Sequence, residues 1–556
     1  MKVGSRLLPA DESCIMRALA LDKSEAKGAS SWFGYVFTVR FPCLSCTADQ
    51  ADQADQAADG GTAMAKRPEY GTSFATMLSV PPIRSLALIS ALLTPIAHAV
   101  HPVAVRGQDF VDTVTNQRLM IIGVDYQPGG QASYIPSEGR DVLSNPDVCL
   151  RDAVLMQKLG VNTIRVYNID PELDHSQCAS IFNAAGIYMI LDVNSPLPGE
   201  SINRAAPWTS YNSDYLTRVF GIVENFKNLP NTLGFFAANE VINDLNTARY
   251  NPQYIRAVQR DLNNYISKHA NRKIPVGYSA ADVREILQDT WAYLQCNNNN
   301  DNSSSGFIGL NSYSWCGGDA TFQSSGYQDL ATMFNHSAIP VFYSEYGCNK
   351  VQPRVFTEVP ALYGPNMTML SGGLVYEYSQ EAEDYGLVQI NANGSVTLRI
   401  DYNNLQKQYN SLNKTLLESA NPSSTSIVAP SCAASLISAD QFDKNFTLPD
   451  VCPGCQSLID NGISNSTHSK LINVTTTKPS QQIYGSNGAL IQGLSLTILS
   501  GDEANGPGQE TTNPSSSSTS SNAAPPRSSE TKKSAATKLN SSFAICFGAI
   551  LAALLI

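Results

Sequence analysis

TLGFFAANE, residues 232–240, is an apolar run that ends in Asn239-Glu240, and VFYSEYG, residues 341–347, is a second such run carrying Glu345 near its end. Both have the length and the continuous apolar character of strands buried on two faces. A carboxylate at the end of an apolar strand needs a partner, because burying an unpaired charge is costly. A structural salt bridge would satisfy that need. The other reading is chemical: two carboxyl groups delivered by two strand ends can cleave a glycosidic bond, one protonating the leaving oxygen and the other attacking the sugar or activating water.

Six further runs share this character: LMIIGVDYQ (119–127), NTIRVYNI (162–169), YMILDVN (188–194), PVGYSAA (275–281), FIGLNSYSW (307–315) and GGLVYEYS (372–379). Helix-like segments lie between them, such as 148–160, 215–226 and 254–270. Eight strands alternating with helices predict an α/β fold, a (β/α)8 TIM barrel over 100–415. Gln127, Tyr167, Asp192, Glu240, Tyr313, Glu345, Tyr376 and Tyr378 all fall late in their strands. That end of the strands forms the active-site mouth of such a barrel. Each tyrosine has a plainer reading as a core aromatic with its hydroxyl at the rim, and Asp192 has one as a helix cap.

The chain has 556 residues and a net charge of −11, with no basic cluster of any size. Nucleic acid is therefore not an expected partner, since its phosphates need a Lys/Arg surface. A neutral polymer is compatible. Of twelve cysteines, eight lie in the middle of the chain: Cys149, Cys178, Cys296, Cys316, Cys348, Cys432, Cys452 and Cys455. An even count in a secreted context favours disulfides. Zinc is the rival for Cys452-Pro-Gly-Cys455, but no second such pair accompanies it, so neither metal nor cofactor is expected.

Both ends carry targeting signals. Residues 77–99 combine one Arg, an apolar stretch and Ala97-His98-Ala99, the pattern of a secretory signal peptide. Residues 1–76 precede it and include the low-complexity ADQADQADQAA (48–58); they read as an extension upstream of the true start, at Met77 or Met64. After a small C-terminal region (416–500) and a Ser/Thr/Pro-rich linker (501–534), residues 535–556 end in the fourteen-residue apolar tail FAICFGAILAALLI. That is short for a membrane span, which needs ~20 residues. Small triplets around Asn522 and Ser534 followed by such a tail form the pattern of a GPI-anchor signal; a tail-anchor helix is the alternative. Sequons at Asn302, Asn335, Asn366, Asn393, Asn413, Asn445, Asn465, Asn473 and Asn540 also point to the secretory route.

The motifs IIGVDYQPGG (121–130), NTIRVY (162–167), FAANEVIND (236–244), NSYSWCG (311–317), YSEYGCN (343–349) and GGLVYEYSQEAEDYGLV (372–388) together resemble glycoside hydrolase family 72, the GPI-anchored fungal cell-wall β-1,3-glucanosyltransferases. The resemblance covers roughly 100–415. It implies Glu240 as acid/base, Glu345 as nucleophile and Asn239 as a contact to the sugar 2-hydroxyl. It implies Gln127, Tyr167, Asp192 and Tyr313 as lining for the donor subsites. Tyr376 and Tyr378 both match its strand-eight tyrosine region. It also implies the pairs Cys149–Cys178, Cys316–Cys348 and Cys296–Cys432, leaving Cys452 and Cys455 unassigned. With three cysteines in 420–500, the chain resembles the subgroup without the longer cysteine-rich module. The run NNNNDNSSS (297–305) reads as a loop insertion near the mouth.

The function implied is a retaining transglycosidase that cleaves β-1,3-glucan and passes the new reducing end to a second glucan, with carboxyl groups ~5–5.5 Å apart. Tyr126, Tyr313, Trp315, Tyr346 and Tyr385 are available to line acceptor subsites. The implied partners are a glucan donor, a glucan acceptor and, through the anchor, the outer face of the plasma membrane or the wall; a monomer is expected. A β-1,3-glucan hydrolase on the same barrel and a non-catalytic glucan-binding wall protein are the alternatives.

Overall fold

The computed structural model describes residues 100–419, 425–499 and 503–508. The signal-peptide region, both anchor-site candidates Asn522 and Ser534, and the apolar tail lie outside the described residues.

Eight parallel strands close into a barrel: β1 (Ile121–Asp125), β2 (Thr163–Val166), β3 (Tyr188–Asp192), β4 (Thr232–Asn239), β5 (Val276–Ala281), β6 (Phe307–Asn311), β7 (Val341–Tyr346) and β8 (Gly372–Val375). Each coincides with one of the eight apolar runs, trimmed mostly at its C-terminal end. The last pairing, β8 with β1, starts at Gly372 against Ile121. Gly372 has φ +87°, and a Cβ there would stand 2.1 Å from the Ile121 carbonyl oxygen. Only glycine lets the barrel close at this point.

Outer helices return the chain from mouth to floor. The first, Pro146–Leu159, carries its own boundary signals. The Asn145 side chain accepts from the backbone N–H of Asp147 and Val148, Pro146 opens the helix and Gly160 ends it in a left-handed conformation. Asn212 caps Ser213–Phe226 in the same way, through the Tyr215 N–H.

The floor is closed by an element that the sequence reading did not contain, a small antiparallel sheet of Val103–Arg106, Asp109–Asp112 and Arg118–Leu119. Its Phe110 enters the barrel and meets Phe307 and Phe342 at ring-centroid distances of 5.8 and 5.9 Å. Phe236 packs on Phe307 at 5.2 Å, and the Arg165 guanidinium lies 4.5 Å from the Phe236 ring centroid. The barrel axis therefore runs from an aromatic plug at the floor to a buried cation beneath the mouth.

Residues 425–499 do not build a core of their own. Ile437, Phe442, Ile459 and Leu496 instead bury themselves in the barrel's outer core. The segment is a strap that crosses the outer helices in reverse chain order. Asn445 accepts from the Tyr293 hydroxyl, Pro449 from Arg260, Ser469 donates to Asn225, and Leu499 to Ala184. Among the described residues there are four disulfides: the three implied pairs, Cys149–Cys178, Cys296–Cys432 and Cys316–Cys348, and Cys452 joined to Cys455.

The Asn/Ser run at 297–305 is not at the mouth. It follows helix Leu287–Gln295 and precedes β6, so it belongs to the connections that return to the floor. It docks on helix Asn251–His269, where Arg256 donates to Ser303 and Gln259 to Ser305.

Candidate active site

Arg165, in the middle of β2, organises the site. It is fully buried and uses all five N–H donors. Nε and Nη2 hold Asp192 of β3 at 3.1 and 2.9 Å. Nη1 reaches Glu345 Oε1 at 3.1 Å and the Ser344 carbonyl at 3.2 Å, both in β7. Nη2 also donates to Asn239 Oδ1 of β4 at 2.9 Å. The guanidinium face covers the Tyr167 ring at 4.3 Å.

Glu345 receives two hydroxyl donors as well, Tyr167 at 3.0 Å on Oε1 and Tyr313 at 2.7 Å on Oε2. Burial pushes its carboxyl up to about 7; Arg165 and the two hydroxyls pull it down, while the charge of Glu240 pushes it up. Removing the Glu240 charge thus favours ionised Glu345. Burial and neighbouring negative charge keep the Tyr313 and Tyr167 hydroxyls protonated and able to donate.

Glu240 follows the last residue of β4 and has φ +48°, a left-handed conformation uncommon for a residue with a side chain. The bend is held by its N–H on the Ser279 carbonyl at 2.9 Å. Asn311 of β6 fixes the side chain: its amide nitrogen donates to Glu240 Oε1 at 2.9 Å and to Asn239 Oδ1 at 3.1 Å. The Asn311 oxygen accepts from Ser279 and Ser344, which sets that orientation. The bonds run without a break from Glu345 through Arg165, Asn239 and Asn311 to Glu240.

Asp125, at the end of β1, is fully buried beside Arg165. Burial pushes its carboxyl well above the usual range; Arg165 opposes this, and the charges of Glu345 and Asp192 reinforce it. Gln127 lies at the rim of β1, accepting from the Asn168 N–H at 3.3 Å.

At β8 the two tyrosine candidates separate. Tyr376 is half-buried at the mouth, its ring 6.2 Å from Tyr313 and 5.2 Å from Tyr385. Tyr378 is not a substrate contact. It is 1 % exposed and its hydroxyl donates to buried Asp152 at 2.5 Å, on the helix side of the barrel wall. Both residues lie beyond the end of β8 at Val375, so strand alternation does not fix which way either side chain points. Three of the five acceptor-site aromatics are likewise in the packing: Tyr126 on Asp152, Tyr346 on Tyr409, and Trp315 on Thr357. Tyr313 and Tyr385 remain at the mouth.

Sequence reasoning did not single out Arg165, Asp125 or Asn311. The signal was available: each is a charged or amide side chain inside an apolar strand, where it must be bonded or pay full desolvation.

The sequence profile of the family described as Glucanosyltransferase matches residues 93–413. 1,3-beta-glucanosyltransferase gel2 of Aspergillus fumigatus is 53% identical over 431 residues, 77% of this chain and 90% of that protein. Probable 1,3-beta-glucanosyltransferase GAS3 of Saccharomyces cerevisiae is 45% identical over 408 residues, 70% of this chain and 78% of that protein. Among solved structures, Saccharomyces cerevisiae Gas2p in complex with laminaritetraose and laminaripentaose aligns with a TM-score of 0.56 at 36% identity, covering 64% of this chain and 76% of that one. A barrel with two strand-end glutamates joined through one buried arginine and these matches agree: the chain belongs to the glucanosyltransferases of glycoside hydrolase family 72.

Proposed function

We infer that this chain is a retaining β-1,3-glucanosyltransferase. The observation that carries the reading is the unbroken set of hydrogen bonds from Glu345 to Glu240 across the mouth. Glu345 is the nucleophile: its carboxylate forms a bond to the anomeric carbon as the glycosidic C–O bond breaks. Glu240 is the acid/base and gives its proton to the departing oxygen. In the second step the 3-hydroxyl of another glucan loses its proton to Glu240 and displaces Glu345, so configuration is retained. Carboxyl groups ~5–5.5 Å apart suit this course.

The other roles follow from the bonds already made. Asn239 and Glu240 both accept from Asn311, and Asn239 accepts from Arg165 through its oxygen. Its amide nitrogen is then the atom that meets the sugar 2-hydroxyl. Asp192 positions Arg165. Tyr167 and Tyr313 hold Glu345 and release it to the sugar. Gln127 and Tyr376 border the donor site. Tyr313, Tyr376 and Tyr385 present ring edges and faces that exclude water and favour a sugar acceptor. The GPI signal would hold the enzyme at the outer membrane face or in the wall, where β-1,3-glucan is the polymer at hand.

The test is product analysis with reduced laminari-oligosaccharides. Longer products mark transfer. Shorter products alone would instead identify a hydrolase. Glu240→Gln and Glu345→Gln should each lower turnover by at least about a thousandfold with folding and glucan binding retained.

A further inference from the structure

Two aromatic side chains stand in water although burial would have favoured them. Trp208 is 55% and Tyr250 47% exposed; the other large hydrophobic side chains this exposed, among the described residues, are aliphatic. The two are neighbours, with ring centroids 6.0 Å apart and planes at 88°. Both come from strand-to-helix connections, Trp208 from the turn Pro207–Thr209 after β3 and Tyr250 from the residue preceding helix Asn251–His269 after β4. Such connections lie on the mouth side of the barrel.

The pair is also held rigidly next to the acid/base residue. Buried Pro207 anchors the Trp208 turn, Thr209 Oγ1 bonds the Ala206 carbonyl at 2.7 Å, and the Ser210 hydroxyl accepts from the Asn203 N–H at 2.8 Å. The side chain of Asn251, which follows Tyr250, donates to the Arg204 carbonyl at 2.9 Å. Arg204 in turn points its guanidinium at the Glu240 carbonyl, 3.5 Å away. One arginine therefore spans from the platform to the catalytic bend.

We propose that Trp208 and Tyr250 form a remote subsite for the β-1,3-glucan chain, continuing the cleft past Glu240. The ligand chemistry fits: the rings of a β-linked glucan carry their hydroxyls around the edge and expose C–H faces, which stack on aromatic rings. The exposed Tyr250 hydroxyl and Arg204 supply polar contacts for the edges. The proposal rests on the glucanosyltransferase reading and adds to it a determinant of chain length.

The experiment uses the full chain with Glu345→Gln, so that ligands are not turned over, and laminari-oligosaccharides of increasing length titrated by calorimetry. Affinity should rise with length in this background. Adding Trp208→Ala and Tyr250→Ala should produce a loss that grows with length, reaching about tenfold or more for the longest ligands. Equal length dependence with and without the two rings, or no length dependence in the Glu345→Gln background, overturns the subsite. With active enzyme, a raised KM for the donor at fixed acceptor identifies the donor side and a raised KM for the acceptor identifies the acceptor side; unchanged values for both also overturn it. Failure of the functional reading looks different, because the unsubstituted chain would then elongate no laminari-oligosaccharide of any length.

Discussion

At the residue scale the site is dominated by Arg165, whose five donors join three strands. Arg165→Met leaves Asp192 and Glu345 facing each other without a cation, and we expect a loss of about 3–5 kcal/mol in denaturant unfolding together with all activity. Tyr313→Phe is gentler. It removes a donor to the ionised form of Glu345, so the carboxyl moves further up and the acid limb of the kcat/KM profile shifts to higher pH. A shift to lower pH would contradict the assignment of Glu345 as the group that must be ionised. The same raised value has a stability consequence. Glu345 goes from 4.5 to about 7 on folding, so the folded state binds its proton more tightly and ionisation costs stability as pH rises through 7. Glutamine cannot ionise. Glu345→Gln should therefore be more stable than the unsubstituted chain at pH 8, by about 1–3 kcal/mol, with the gap closing by pH 4. Melting temperatures across that range check the sign; a gap that widens on acidification would be wrong for this geometry.

At the scale of elements, the covalent links differ in what they hold. Cys149–Cys178 joins two outer helices, whereas Cys316–Cys348 joins the connection after β6 to the end of β7. Tyr313 and Glu345 each stand three residues before one of those cysteines. Loop-closure entropy gives both links a similar weight, about 3–4 kcal/mol. The expected outcome is comparable destabilisation for the two double Cys→Ser variants but a larger fall in kcat for Cys316→Ser/Cys348→Ser, read by thermal unfolding and initial rates. The elements were also the most legible part of the sequence. Barrel strands are buried on both faces, so each shows as an apolar run whatever its neighbours do, and Glu240 and Glu345 stand out against such runs. Tyr378 shows where legibility ends: alternation has meaning only while the strand lasts, and no residue pattern marks Val375 as its last member. The floor sheet was missed for a related reason, since two- to four-residue strands carry too few positions to show a period. Arg165 was visible as a charge inside an apolar run, but its four partner residues, Asp192, Asn239, Ser344 and Glu345, come from other strands.

At the scale of the whole molecule, the barrel axis is a continuous stack in which Phe110 supports Phe307 and Phe342, Phe236 supports Arg165, and Arg165 supports Glu345. Phe110→Ala opens a cavity at the bottom of that stack. We expect about 3–5 kcal/mol of destabilisation and a fall in kcat out of proportion to any change in KM, although residue 110 touches no substrate. Stability lost with unaltered kcat would mean that the layers are independent.

Beyond the strap, the Asn505 side-chain amide donates to the carbonyls of Gln157 and Val161, and its backbone N–H donates to that of Gly186. Gln157 lies in the last turn of helix Pro146–Leu159, and Val161 and Gly186 lie in the turns leading into β2 and β3, on the floor. These last described residues therefore sit at the floor, at the opposite end of the barrel from the carboxyl pair, and leave the mouth uncovered by the strap.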